Sequence, residues 1–229
     1  MQNLKILFED NHIIVVEKTP NIPSQSDKTG DIDMLTLVKQ YIKEKYNKPG
    51  NVYLGLVHRL DRPVGGVMIF AKTSKSASRL SDEVREKVFK KKYLAVVDGK
   101  IEKANGSLEN YLYKDERNNM SKVVNKDKKN AKLAKLDYEV VFYDEVKNLS
   151  LVKINLHTGR HHQIRVQLSN FGHSIFGDQK YGTRGTGKQI ALWAYELTIV
   201  HPITKEEMTF VDLPEKIGTW SILKKINNI

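Results

Sequence analysis

The chain has 229 residues, with 38 Lys and Arg against 27 Asp and Glu, a formal charge of +11 and a pI near 9.5. At 40% hydrophobic and 28% charged residues, it has the composition of a soluble globular protein, long enough to bury a core without a metal or disulfide staple. The absence of cysteine excludes a disulfide framework, a thiolate zinc site, an iron–sulfur cluster and a cysteine nucleophile. No apolar run approaches the ~18 residues of a membrane span, and the charged opening Met1–Asn11 argues against a signal peptide, so a cytoplasmic location is expected.

In chain order, Leu4–Phe8 and His12–Glu17 are β-rich runs around the turn signal Glu9-Asp10-Asn11 and predict a hairpin. Lys18–Asp31, with Pro20, Pro23 and Gly30, reads as a loop. Asp33 is placed to cap a helix to about Tyr46 with Leu35, Val38 and Ile42 on one face, ended by Pro49-Gly50. Val67–Lys72 predicts a strand, and Ser74 starts a helix whose Leu80, Val84 and Val88 recur every four residues. Tyr93–Val97, Leu108–Tyr113 and Leu136–Phe142 read as extended, and Leu149–Leu156 alternates cleanly. Thr158 is expected to cap a helix from Arg160 to about Asn170, turning Ile164 and Leu168 to the core. Ile190–Val200 and Glu207–Asp212 close the chain as strands joined through His201-Pro202. Strands outnumber helices, and most links are too short for βαβ crossovers. The expected fold is α+β, with a mixed, mainly antiparallel central sheet and flanking helices in a single domain over 1–229.

The charge is uneven. Between Lys114 and Lys135 stand eight basic side chains against three acidic ones, a net +5. Asn118, Asn119, Asn125 and Asn130 are interleaved where a membrane-surface helix would carry a continuous apolar face. This pattern suits a solvated loop or hairpin reaching toward a polyanion, and Lys87, Lys90, Lys91 and Lys92 form a second cluster.

Three stretches could carry chemistry. In His58-Arg59-Leu60-Asp61-Arg62-Pro63-Val64-Gly65-Gly66, a carboxylate lies between two guanidiniums, which favour its charged form. Proline and the glycine pair hold it at the mouth of a strand, as a candidate nucleophile or base or as a surface ion-pair cluster. In His157-Thr158-Gly159-Arg160-His161-His162-Gln163-Ile164-Arg165, the spacing predicts a helix with His161 and Arg165 on one face. His161 and His162 would then point about 100° apart, a poor start for zinc. The positive helix end with Arg160 and two imidazoles better suits a phosphate. Gly182 to Gln189 fits G-x-x-x-x-G-K, yet Gln189 lacks the Mg²⁺-binding hydroxyl and a strand follows where a P-loop needs a helix. A flexible basic turn is the reading there.

Taken together and in order, these stretches resemble the RluA-type RNA pseudouridine synthases. The resemblance rests on His58–Arg62 with Gly66 and the Val67–Lys72 strand, on Lys92–Gly99, on Leu156–Leu168, on Gly172–Asp178 with Tyr181-Gly182, and on Ala191–Pro202. Val64-Gly65 and Ser174 depart from the family pattern without touching a charged position. The resemblance implies a pseudouridine synthase fold with a catalytic cleft, without the N-terminal S4 domain that many members carry. It implies an isomerase that everts uridine from ribosomal or transfer RNA and rejoins the uracil to C1′ through C5. Asp61, Tyr93 and Arg165 are then the catalytic set: Asp61 acts at C1′, Tyr93 stacks on the base, and Arg165 ion-pairs with the aspartate. Arg59, Arg62, Arg160, His161, His162 and Lys92 are the RNA-binding set. No cofactor, nucleotide or metal is expected, the partner is RNA and not a membrane, and a monomer is the default. The alternatives are a non-catalytic RNA-binding or assembly protein on the same fold, and a metal-dependent nuclease built on His157–His162.

Overall fold

A computed structural model describes residues 4–182 and 188–226. The chain divides into two compact units, one made of residues 4–90 and 194–213, the other of the described part of 91–193 with 214–226.

In the first unit, β1 (Ile6–Glu9) and β2 (Ile13–Lys18) form the expected hairpin. Its turn is set by Asp10, whose Oδ1 accepts the His12 and Ile13 amides at 2.7 Å each. α1 (Met34–Lys45) starts where Asp33 accepts the Thr36 amide at 3.1 Å, and it buries Met34, Val38 and Ile42. β3 (Gly55–Leu56) and β2 both pair antiparallel with β4 (Gly65–Ala71), every residue of which is buried. That double burial is why the segment reads as a continuous apolar run with no alternation.

α2 (Ser74–Glu86) is capped by Thr73 and buries Ser76, Leu80 and Glu83. The expected stripe through Val84 and Val88 is corrected, since both are exposed. A strict spacing of four gains about 40° per step on a helix of 3.6 residues per turn, and the helix stops at Lys87 in a left-handed conformation, before Val88. Leu80 packs with Ile13, Val15, Val67, Ile69, Phe89, Leu197, Ile199 and Phe210 as the core of this unit. β10 (Leu192–Val200) lies beside β4 and carries β11 (Glu207–Val211) on its other edge.

The second unit is built on β5 (Lys90–Asp98), β6 (Asn105–Asp115), β7 (Met120–Val124), β8 (Lys132–Asp144) and β9 (Leu149–Leu156) in the order β5-β9-β8-β6-β7. Each neighbouring pair is antiparallel. The basic stretch 114–135 therefore forms the end of β6, a turn, β7, a second turn and the start of β8, a hairpin ribbon and not an open loop. α3 (Gln163–Asn170) packs Val166 on Leu112 and Ala134 of the ribbon's base. Short helices on a mixed, mainly antiparallel sheet make this the expected α+β class. No helix among the described residues is long and apolar enough to cross a membrane.

Candidate active site

In the first unit, Asp61 is half-buried and opens a four-residue turn closed by the Val64 amide donating to the Asp61 carbonyl at 2.9 Å. Each neighbour of Asp61 is tied to another part of the chain. Ser24 holds Leu60 at both backbone groups, donating to its carbonyl at 2.8 Å and accepting its amide at 3.1 Å. His58 Nε2 accepts the Ile69 amide at 3.2 Å, which fixes the deprotonated nitrogen and makes His58 a loop anchor. The Arg62 carbonyl accepts from the Asn21 amide at 2.8 Å and from Lys18 Nζ at 2.9 Å. Asn21 adopts φ 70°, a left-handed conformation that asparagine tolerates.

The Arg62 guanidinium turns back onto this anchoring segment. It donates to the Asn21 carbonyl and the Thr29 hydroxyl at 3.1 Å each and pairs with Asp31. Arg59 is exposed and lines a cavity of about 270 Å³ with Gln25, Leu56, Val57 and His58. The Gly65-Gly66 pair lies inside β4, not before it as the sequence suggested. Gly66 has φ +119°, and a Cβ there would stand 2.2 Å from the Ala194 carbonyl oxygen. Only glycine fits that approach.

In the second unit, Tyr93 is buried on β5 opposite Ile154, with Lys92 opposite Asn155. Burial also holds the neighbouring Lys91 ammonium below the usual lysine range. The helix predicted from Arg160 begins at Gln163, three residues later. Thr158 is not its cap, because that hydroxyl accepts the Lys135 amide and donates to Gln163 Oε1. Gln163 Oε1 also accepts the Arg160 amide at 3.1 Å. His161 and His162 therefore precede the helix, and the expected 100° divergence is replaced by stacked rings with centroids 3.7 Å apart. One ring nitrogen of each is held by protein: His161 Nδ1 meets the Ser121 hydroxyl at 3.0 Å, and His162 Nδ1 meets the Tyr181 hydroxyl at 2.8 Å. Arg160 is exposed and donates to the Leu133 carbonyl. His157 lies apart, on Asp137.

The residue that sequence reasoning missed is Asp178. Arg165 holds it with two parallel bonds, Nε to Oδ2 at 2.8 Å and Nη2 to Oδ1 at 2.7 Å, and both side chains are buried. Asp178 Oδ1 also accepts the Lys180 and Tyr181 amides. Burial by itself pushes the Asp178 carboxyl up. The Arg165 guanidinium and these two amides outweigh it and hold the group below its usual range. Asp178 stands within the Gly172–Asp178 stretch that supports the family resemblance, and a carboxylate in that stretch was the available signal. Most of the G-x-x-x-x-G-K stretch, residues 183–187, lies outside the described residues.

Comparison with known proteins places this architecture. The fold is that of a pseudouridylate synthase domain: the human protein RNA pseudouridylate synthase domain containing 4 matches it with a TM-score of 0.76 at 23% identity, over 92% of this chain and 89% of that one. A family model described as RNA pseudouridylate synthase matches residues 12–170, a span that holds Asp61, Tyr93 and Arg165. The chain belongs to that family. It is 32% identical over 209 residues to an uncharacterized RNA pseudouridine synthase of Bacillus subtilis, YhcT, covering 89% of this chain and 66% of that protein. It is 33% identical to the dual-specificity RNA pseudouridine synthase RluA of Escherichia coli O157:H7, covering 90% of this chain and 91% of that protein.

Proposed function

We propose that the chain is an RNA pseudouridine synthase that isomerises uridine in ribosomal or transfer RNA, with Asp61 as its catalytic carboxylate. The observation that carries this reading is the Asp61 turn: a half-buried carboxylate on a loop fastened through Leu60, Arg62 and Val64, within the span that matches the family model. Catalytic groups gain most from being held in place before the substrate arrives.

The reaction breaks N1–C1′ and forms C5–C1′, while the C5 proton leaves and N1 gains one, so no oxidant or co-substrate is consumed. A carboxylate at C1′ meets the positive charge that develops on the ribose, as an ion or as a nucleophile. Tyr93 is assigned to the face of the uracil. Arg165, oriented by Asp178, is assigned to hold charge at the reacting centre, which requires a rigid fork and not a mobile ammonium. Everting the uridine costs a few kcal/mol of stacking, and phosphate contacts supply the compensation. Lys92, Arg59, Arg160, His161 and His162 are assigned to the RNA together with the ribbon lysines. Arg62 joins them by exchanging its exposed carboxylate partners for phosphates, an exchange between solvent-screened pairs.

The test is to map pseudouridines in total RNA from cells lacking the gene, complemented with the wild-type chain or with Asp61→Asn. Restoration by wild type alone supports the assignment. Restoration by the Asn variant removes Asp61 from catalysis, and no change in either strain points to a non-catalytic RNA-binding protein.

A further inference from the structure

The turn that follows Asp178 grips two parts of the second unit at once. Asp178 Oδ1 accepts the Lys180 and Tyr181 amides, and the Gly182 amide donates to the Asp178 carbonyl at 3.0 Å, so the turn is closed on itself. Toward α3, the Arg165 guanidinium carbon stands 5.3 Å from the centre of the Tyr181 ring. The two bonds to Asp178 fix one edge of that guanidinium, and the ring limits its swing about the edge. Toward the ribbon, the Tyr181 hydroxyl accepts the Ser121 amide at 2.7 Å, and Lys180 Nζ donates to the Asn119 carbonyl at 2.8 Å. β7 is outermost in the sheet order, where outward amides have no neighbouring strand to bond. Ser121 is buried, so the hydroxyl satisfies a donor that water does not reach.

We propose that Tyr181 is a positioning residue that joins the basic ribbon to the Arg165 fork: its ring orients the guanidinium, and its hydroxyl docks β7 beside it. The remaining contacts hold Tyr181 itself in place. Its hydroxyl meets His162 Nδ1 at 2.8 Å, and its carbonyl accepts the Ser169 hydroxyl of α3 at 2.8 Å. Ser121 is fastened from its other side, donating to the His161 carbonyl at 2.7 Å. A group that acts at a reacting centre needs such a locked surround, and here the surround also carries the strand whose lysines are assigned to phosphates. RNA held on the ribbon is thereby kept at a set position relative to Arg165. The proposal rests on the roles given above to Arg165 and the ribbon.

Tyr181→Phe keeps the ring and removes the hydroxyl, whereas Tyr181→Leu removes both. In filter binding with C5-tritiated RNA from cells lacking the gene, both variants should lose affinity by roughly fivefold, the worth of one hydrogen bond. At saturating RNA, the single-turnover rate of the Leu variant should lie roughly tenfold below that of the Phe variant, the share of a ring contact with a desolvated cation. A merely structural residue would lower the folded fraction in thermal melts without dividing affinity from rate in this way. Equal saturating rates in the two variants, or wild-type RNA affinity in both, overturns the proposal.

If the Leu variant does not fold, nitrogen-15 spectra of the wild-type and Phe chains provide the second test. A slowly exchanging Arg165 Nε–H, shifted by the ring current, is expected in both, with the Ser121 amide exchanging faster in the Phe chain and the β9 amides unchanged. Fast exchange of the Arg165 Nε–H in wild type, or an unaltered Ser121 amide in the Phe chain, overturns the proposal. Should the wild-type chain modify no uridine, the functional reading fails, while these two signals still report on what Tyr181 holds.

Discussion

Asp178→Asn isolates the buried charge pair that orients Arg165. The side chains of Arg165 and Asp178 are 4% and 0% exposed, so neutralising the aspartate strands a guanidinium where water cannot reach it. Removing one member of a buried pair costs about 3–5 kcal/mol. For a chain of this size each kcal/mol corresponds to about 2–4 °C in Tm, so the fall should be roughly 6–20 °C, toward the lower end because asparagine still accepts one bond.

The cost should depend on pH with a definite sign. The folded Asp178 carboxyl lies below its ordinary value of about 3.8, so its contribution is present above that value and is lost as pH falls through the folded pKa. The gap between wild type and variant should therefore narrow in acid. Urea unfolding at neutral pH and at pH 3 measures both effects, and release of tritium from C5-labelled uridine in RNA measures activity. A double variant, Arg165→Met with Asp178→Leu, should recover much of the stability and none of the activity. A neutral-pH stability of Asp178→Asn within 1 kcal/mol of wild type would refute the claim that this pair is buried and tight.

Gly66→Ala should destabilise by about 2–6 kcal/mol, because it combines a left-handed φ with a Cβ that meets the Ala194 carbonyl; an unchanged urea midpoint would contradict that close approach. RNA affinity should fall linearly with salt on a log–log plot. Replacing Lys126, Lys128 and Lys129 together by Ala should shallow that slope by roughly 1 for each lysine on a phosphate, read by filter binding at several salt concentrations. Glu9 is raised by burial but held at about 2 by Lys45, Lys72 and Tyr46. Its stabilising contribution is present above pH 4.5 and disappears toward pH 2, so Glu9→Gln should show a flatter acid unfolding curve over that window.

Much of the architecture was legible in local pattern. Asp33 caps α1 as its side chain requires, Leu149–Leu156 alternates as β9, and Glu9-Asp10-Asn11 turns the first hairpin. Each of these depends on residues within one or two turns of each other, where side-chain type and backbone preference act together. The start of α3 was misplaced because Thr158, an apt cap by type, is taken by Lys135 on β8, and the helix begins at Gln163 without a side-chain cap. Val84 and Val88 were misassigned because a four-residue period drifts around a helix that ends at Glu86.

The motifs determined which residue types the chain offers for chemistry, and the order His58–Arg62, Lys92–Gly99, Leu156–Leu168 pointed to the family before any coordinate. Tertiary structure alone decided their partners: Asp178 for Arg165, three carbonyls for Lys18, Ser121 and Tyr181 for the paired histidines, Asp31 for Arg62. The physical reason is range. A cap or an alternating strand is settled by neighbours a few residues away, whereas a buried charge must find its counter-group wherever folding brings one, and leaving it unmatched costs more than any local preference can return.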